Sequence, residues 1–132
     1  MERHDFYQSV EQQANLGDEA DARDATDAVL SALGRRLDET RSQRLDGDLP
    51  AEIGSPLAEG PSGRALSYDE FLSNVEERAD RADIGDPEQL SRAVVGTLLE
   101  HVAEDEREEL RERLEEFGYD AIVPESGPGA GS

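Results

Sequence analysis

The chain is written twice. Phe6–Ile53 lies on Phe71–Gly118 without a gap, so that Phe6 falls on Phe71, Val10 on Val75 and Ala14 on Ala79. Further along, Ala28 meets Ala93, Val29 meets Val94, Leu33 meets Leu98, Leu45 meets Leu110 and Leu49 meets Leu114. One unit of this size buries too little surface to stand alone, so the two copies are expected to pack on each other and share one core. What repeats is apolar. The residues with chemical potential do not repeat: His4 meets Asp69, and His101 meets Arg36.

Each copy reads as three helices. In the first helix Phe6, Val10 and Ala14 share a stripe, as do Phe71, Val75 and Ala79. Ser67-Tyr68-Asp69-Glu70 is a capping box, which starts that helix at Tyr68. In the second helix Ala22, Ala25, Val29, Leu33 and Leu37 hold one face, matched by Leu90, Val94, Leu98 and Val102. Asp86-Pro87 marks the start of the later copy, with the proline at the position where its missing donor is not needed. Arg35 and Arg36 complement the negative end of the earlier one. Thr40-Arg41-Ser42-Gln43 reads as a capping box for the third helix, which Pro50 stops. Its twin spans about Glu104 to Glu116 and is closed by Gly118, with Tyr119, Ile122 and Val123 folding back as an apolar clasp.

The predicted architecture is therefore all-α: two tandem three-helix repeats in one pseudo-symmetric bundle of about six helices. Residues 1–53 form the first repeat and 67–123 the second. Residues 54–66, with Pro56, Gly60, Pro61 and Gly63, read as a linker onto which Leu57 and Leu66 can dock. Residues 124–132 read as a disordered tail.

Apolar supply is thin. Leu, Ile, Val and Phe number 27 of 132 residues, near the compositional border of disorder. Fifteen alanines offset this, since alanine favours helix and lets helices approach closely. There are 33 acidic residues against 13 basic ones, all arginine, for a net charge of −20. Such a charge favours unfolding by self-repulsion. In about 1 M salt the screening length falls to roughly 3 Å and the repulsion fades. The composition looks like that of an extreme halophile, so the acidity reports habitat rather than partner. Without cysteine there is no disulfide and no thiolate metal site. No apolar signal core follows Met1, and no run reaches the ~18 apolar residues of a membrane helix. The expectation is a cytoplasmic protein with no membrane partner. Nucleic acid is not an expected partner either, because the one basic cluster, Arg35, Arg36, Arg41 and Arg44, lies among acids.

No catalytic constellation emerges. Neither His4 nor His101 has a second histidine at helical spacing, so the zinc signature is missing. Asp105, Glu109 and Glu112 offer oxygen ligands for a hard cation, but the same residues read as a solvated face braced by Arg107, Arg111 and Arg113. Gly-x-Ser-x-Gly is absent, and the lysine that a phosphate loop requires exists nowhere in the chain. No metal, cofactor or catalytic residue is expected.

Tyr68-Asp69-Glu70-Phe71-Leu72 with Val75, the run Ala28–Leu37, and Leu49-Pro50-Ala51-Glu52 carry a family resemblance. On them the chain resembles an uncharacterised bacterial and archaeal family, the domain of unknown function DUF2267. That resemblance implies two tandem three-helix units and brings no catalytic residues with it. The second copy departs from the pattern, with Leu114-Glu115-Glu116-Phe117 in place of the Leu-Pro step.

The leading expectation is a non-enzymatic interaction or ligand-binding module with an unknown protein or small-molecule partner. Its site would be a groove between the copies near Tyr7, Tyr68 and Phe71, since helical interfaces offer concave sites. Two alternatives remain: an acidic mimic of nucleic acid that occupies a basic partner, and an enzyme built on a carboxylate and an arginine. The oligomeric state is left open.

Overall fold

The computed structural model describes residues 3–59, 63, 66–82 and 86–123, which fold as an all-α bundle without strands. The elements are α1 (Arg3–Ala14), α2 (Glu19–Arg36), α3 (Glu39–Asp48), α4 (Ala51–Glu59), α5 (Tyr68–Ala82), α6 (Pro87–His101) and α7 (Glu104–Glu116). A short 3-10 turn, Asp120–Ile122, follows. The expected tail lies outside the described residues.

Helices α2 and α6 pack on each other at the centre. Helix α2 also carries α1, α4 and α5; α6 carries α1, α5, α7 and the 3-10 turn. Both are buried along more than half their length, which requires small or apolar residues around most of the helix. Ala22, Ala25, Ala28 and Ala32 on α2, and Ala93 and Gly96 on α6, meet that need. Phe6, Val10, Phe71 and Val75 then pack their fully buried side chains from α1 and α5. Close approach by small side chains explains how a sparse supply of large apolar residues closes a core.

Local signals set most boundaries. Ser67 Oγ accepts from Glu70 N at 3.1 Å, and Glu70 Oε1 accepts from Ser67 N at 2.9 Å, so the capping box at α5 is formed. Asp86 Oδ2 accepts from Gln89 N at 3.0 Å ahead of Pro87. Gly118 sits at φ +85°, and Tyr119 N donates back to Leu114 O at 2.9 Å, which closes α7. Asn15 does the same for α1 at φ +57°, with Leu16 N bonded to Glu11 O. The apolar clasp forms: Tyr119 and Ile122 are fully buried, and Val123 packs partly buried beside them.

Two expectations need correction. Helix α3 is capped by Asp38, whose Oδ1 accepts from Arg41 N at 2.8 Å, so Thr40 lies inside the helix rather than at its cap. The described residues hold seven α-helices, in keeping with the all-α bundle of about six that was expected, but one of them falls where a linker was read. That helix, α4, occupies half of the segment. Pro50 ends α3 but its carbonyl accepts from Ile53 N and Gly54 N at 2.9 and 3.0 Å, and so opens the next helix. Leu49, Ile53 and Leu57 recur at i, i+4 and i+8 and are all buried, which outweighs the helix-breaking tendency of Pro56.

Helix α4 lies against α2 because position 34 is glycine. A Cβ there would stand 2.9 Å from Leu57 Cα and closer still to the Leu57 carbonyl oxygen. The residue 65 places further along is Leu99, also buried, and the segment 65 places on from α4 holds the 3-10 turn instead of a helix. Beyond α4, Gly63 N donates to Leu37 O at 2.8 Å, and Tyr119 OH donates to Leu66 O at 2.8 Å. These two bonds anchor Gly63 on Leu37, just past α2, and Leu66 on Tyr119, just past α7.

Candidate functional site

Tyr7, Tyr68 and Phe71 do not gather at one place. Phe71 is fully buried with its ring centroid 4.9 Å from that of Tyr119, and Tyr68 stands 5.8 Å from Tyr119 on the same aromatic cluster. Tyr7 belongs to a different hollow, bounded by α1, α2 and α4. Sequence reasoning named Tyr7 but missed its companions, because they come from three separate elements.

That hollow encloses about 340 Å³. Helix α1 contributes Tyr7; α2 contributes Ala20, Arg23, Asp24, Thr26 and Asp27; α4 contributes Glu52, Ile53 and Pro56. Tyr7 is placed by its neighbour Phe6, which is fully buried and so turns the next side chain along the edge of the core. Its hydroxyl donates to Glu52 Oε2 at 3.3 Å, and Arg23 Nη2 stands 3.6 Å from the same oxygen. Burial pushes the Tyr7 phenol up to about 12, with the Glu52 charge and hydrogen bond adding and Arg23 opposing. Tyr7 is therefore a neutral donor at any ordinary pH. Asp27 is held from outside by Arg78, Nη1 to Oδ2 at 3.0 Å.

Thr26 is one of several buried side chains with an unpartnered polar atom, and the one that lines this hollow. It is 2 % exposed, and its Oγ1 has no hydrogen-bond partner. A buried hydroxyl without a partner carries a desolvation penalty that native structures ordinarily avoid.

A second hollow of about 440 Å³ is lined by Gln13, Asp86, Glu88, Gln89, Arg92 and Ala93. Most of its polar groups are committed internally. Asp86 caps α6, Glu88 Oε2 accepts from Tyr68 OH at 2.6 Å, and Gln13 donates to Ser9 and Thr97. Arg92 donates to Ala121 O from Nε at 3.2 Å and from Nη2 at 3.1 Å. Burial, then the Glu88 bond, raise the Tyr68 phenol as well. The hollow at Tyr7 is thus the better candidate, since it alone of the two includes a buried polar group left over.

The remaining candidates are engaged elsewhere. His4 Nδ1 lies 2.7 Å from Glu19 Oε1 on the surface. His101 Nδ1–H donates to Thr97 O at 2.8 Å, and the ring leans on Phe6. Among the described residues no three histidine or carboxylate side chains stand close enough to share a metal ion, and Glu109 instead pairs with Arg41 at 2.5 Å. The basic cluster is dispersed: Arg35 donates to Asn74, Arg36 lies 3.5 Å over the Phe117 ring, and Arg41 and Arg44 both face Glu106.

Fold and hollow together define an all-helical protein with a small polar recess between its first, second and fourth helices. The chain belongs to the family described as "Uncharacterized conserved protein (DUF2267)", whose pattern matches residues 3–118. No curated protein matches the chain. No described helix is long and apolar enough to cross a membrane.

Proposed function

We propose that the protein is a small-molecule-binding module, with the hollow between α1, α2 and α4 as its site. The observation that supports this is Thr26 Oγ1, unpartnered in the lining of a recess that presents donors and acceptors from Tyr7, Arg23, Asp27 and Glu52. A ligand hydrogen-bonded there would satisfy it. A non-enzymatic role is supported by the histidines, whose described bonds go to Glu19 and to a backbone carbonyl rather than to a nucleophile. The two copies are read as one pseudo-symmetric unit whose first half keeps the hollow. The setting is the cytoplasm of a salt-accumulating cell, where the charge of −20 is screened. A nucleic-acid partner is disfavoured by the net charge of −20 and by the engagement of Arg36 with Phe117 and of Arg41 with Glu106 and Glu109.

The test is a metabolite panel at multi-molar salt, read by thermal shift and by product formation. A ligand that raises the unfolding temperature of the wild type but not of Glu52→Gln is the expected result. Turnover of any compound sinks the non-enzymatic reading.

A second reading is favoured by α7, where Glu104, Asp105, Glu108, Glu109, Glu112, Glu115 and Glu116 are all exposed. Such a row imitates a phosphate backbone and suits a basic protein partner. Near-neutral surfaces in relatives from low-salt organisms count against it.

A further inference from the structure

We infer that the two halves of the chain meet across an approximate twofold axis, and that the face they share also joins two copies of this chain by exchange of halves. This goes beyond the small-molecule reading and does not rest on it, because the hollow at Tyr7 lies wholly within the first half. The first observation is the order of packing. Shifted by 65 places, α1 falls on α5, α2 on α6 and α3 on α7. Helix α1 packs on α6, and α5 packs on α2, so that contact between the halves is made twice. Helices α2 and α6 are counterparts and pack on each other. Inside each half, α1 packs on α2 and α5 on α6. Such reciprocity, in which one element meets a second and their counterparts meet in turn, defines an isologous interface.

The second observation comes from side chains and locates the axis. In a twofold arrangement only groups beside the axis touch their own counterparts. Arg41 and Glu106 are 65 places apart and bonded at 3.0 Å, so the axis passes between α3 and α7 at that point. Contacts away from the axis come in twos. Arg78 on α5 bridges to Asp27 on α2 at 3.0 Å. Their counterparts, Gln13 on α1 and Arg92 on α6, stand together in the lining of the second hollow. Burial follows the same rule: Phe6 and Phe71, Val29 and Val94, and Leu33 and Leu98 are all fully buried.

An isologous interface is self-complementary, so a second copy of the same chain can supply either half. The chain divides cleanly for such an exchange. Gly63 N donates to Leu37 O of the first half, and Leu66 O accepts from Tyr119 OH of the second. Each half therefore keeps its own fastening when partners change. A short hinge favours exchange. The same connection holds the two halves of one chain at an effective concentration on the order of 1 mM, so below that the wild-type chain pairs with itself. Exchange then needs a bias at the axis. The second hollow, with Gln13 from α1 and its other lining from Asp86 and α6, would be built from two chains in the exchanged form.

The experiment supplies that bias with two full-length variants. Arg41→Glu sets two acids against each other at the axis, and Glu106→Arg sets two arginines. In an exchanged pair with one chain of each kind, both axis contacts are of opposite sign. The variants are unfolded in urea, separately and as an equal mixture, and refolded in high salt at about 1 mM. Light scattering, native mass spectrometry and urea unfolding then read the products. The expected result is a one-to-one heterodimer from the mixture, with a urea midpoint above that of either variant alone, while each variant alone stays monomeric. Recovery in the mixture of a variant that does not fold alone counts for exchange in the same way. A mixture that remains two monomers, each as weak as when alone, overturns the exchange, and so does a mixture in which neither chain folds. A dimer formed equally well by one variant on its own places association on another face and overturns the assignment of the axis.

Discussion

Arg41 and Glu106 occupy matching positions of the sequence repeat, 65 residues apart, and are bonded to each other at 3.0 Å. Next along, Arg44 and Glu109 also match, and both join the same cluster. Had the repeat been kept here, like charges would face each other between α3 and α7. The two positions instead carry opposite charges. Arg41 is 11 % exposed and Glu106 15 %, so the pair is largely removed from solvent. Burial opposes the charge on Arg41, but its bonds to Glu109 and Glu106 outweigh that and hold it more firmly protonated. Replacing Arg41 by alanine should destabilise the fold by about 2–3 kcal/mol, because the largely buried Glu106 keeps only the more distant, exposed Arg44 at 3.7 Å. Arg41→Glu combined with Glu106→Arg should recover part of the loss in Arg41→Glu alone. Urea unfolding of the single and double variants in high salt measures both. Additive losses would show that the pair contributes no coupling.

Gly34 sets how close α4 comes. Alanine there forces the α2 and α4 backbones apart, since its Cβ would meet the Leu57 carbonyl within van der Waals contact. Gly34→Ala should cost about 1–3 kcal/mol despite alanine's better helix propensity. The displaced α4 carries Glu52, so Tyr7 should also lose its acceptor and that part of the rise in its phenol pKa that Glu52 adds to burial. An equally stable variant with an unmoved Tyr7 titration would contradict this packing.

Features that depend on adjacent residues were legible in the sequence. Ser67 with Glu70, Asp86 with Pro87, and the span Glu104–Glu116 needed only helix-end chemistry, and the structure carries all three. Helix α4 was hidden by Gly54 and Pro56, which spell a turn locally. The signal that reveals it is the spacing of Leu49, Ile53 and Leu57, continued across Pro50 rather than stopped by it. The cap of α3 was misplaced because Asp38 and Thr40 both begin acceptable helix starts, and the aspartate is taken. Little of the hollow was legible. Tyr7 stood out as an aromatic, but Glu52 and Thr26 matter only because tertiary packing lays α4 across α1 and α2.

All three tyrosines resist ionisation. Burial lifts Tyr7 and Tyr119 to about 12 from the ordinary 10.0, and lifts Tyr68 further in the same direction. Between the unfolded and folded values the native chain keeps protons that the unfolded chain has lost. Stability is then complete below about pH 10 and falls as pH rises through the folded values. Tyrosinate absorbance measured against pH should lag in the native protein and appear at the ordinary value in urea. Tyrosinate formed near 10 with helix content intact would contradict the burial of these rings.

Salt should act unevenly along the chain. Helix α7 faces solvent with an almost unbroken row of carboxylates, and only Leu110 and Leu114 of its side chains are buried. It is tied down by the Arg41 cluster and by Arg107 Nε, which donates to Leu99 O at 2.7 Å. Helices α2 and α6 are instead packed on several sides and carry few exposed charges. As salt falls from about 1 M to about 0.01 M, the screening length grows from roughly 3 Å to roughly 30 Å, and repulsion along α7 is no longer damped. Amide hydrogen exchange should show α7 opening first, followed by loss of the whole bundle, with circular dichroism recording helix loss only at the later stage. Reducing the repulsion tests the cause: Glu108→Gln with Glu112→Gln should shift the opening of α7 to lower salt while leaving exchange in α6 unchanged at high salt. Uniform exchange across the chain at every salt concentration, or full helicity in dilute buffer, would show that self-repulsion does not govern the stability of this fold.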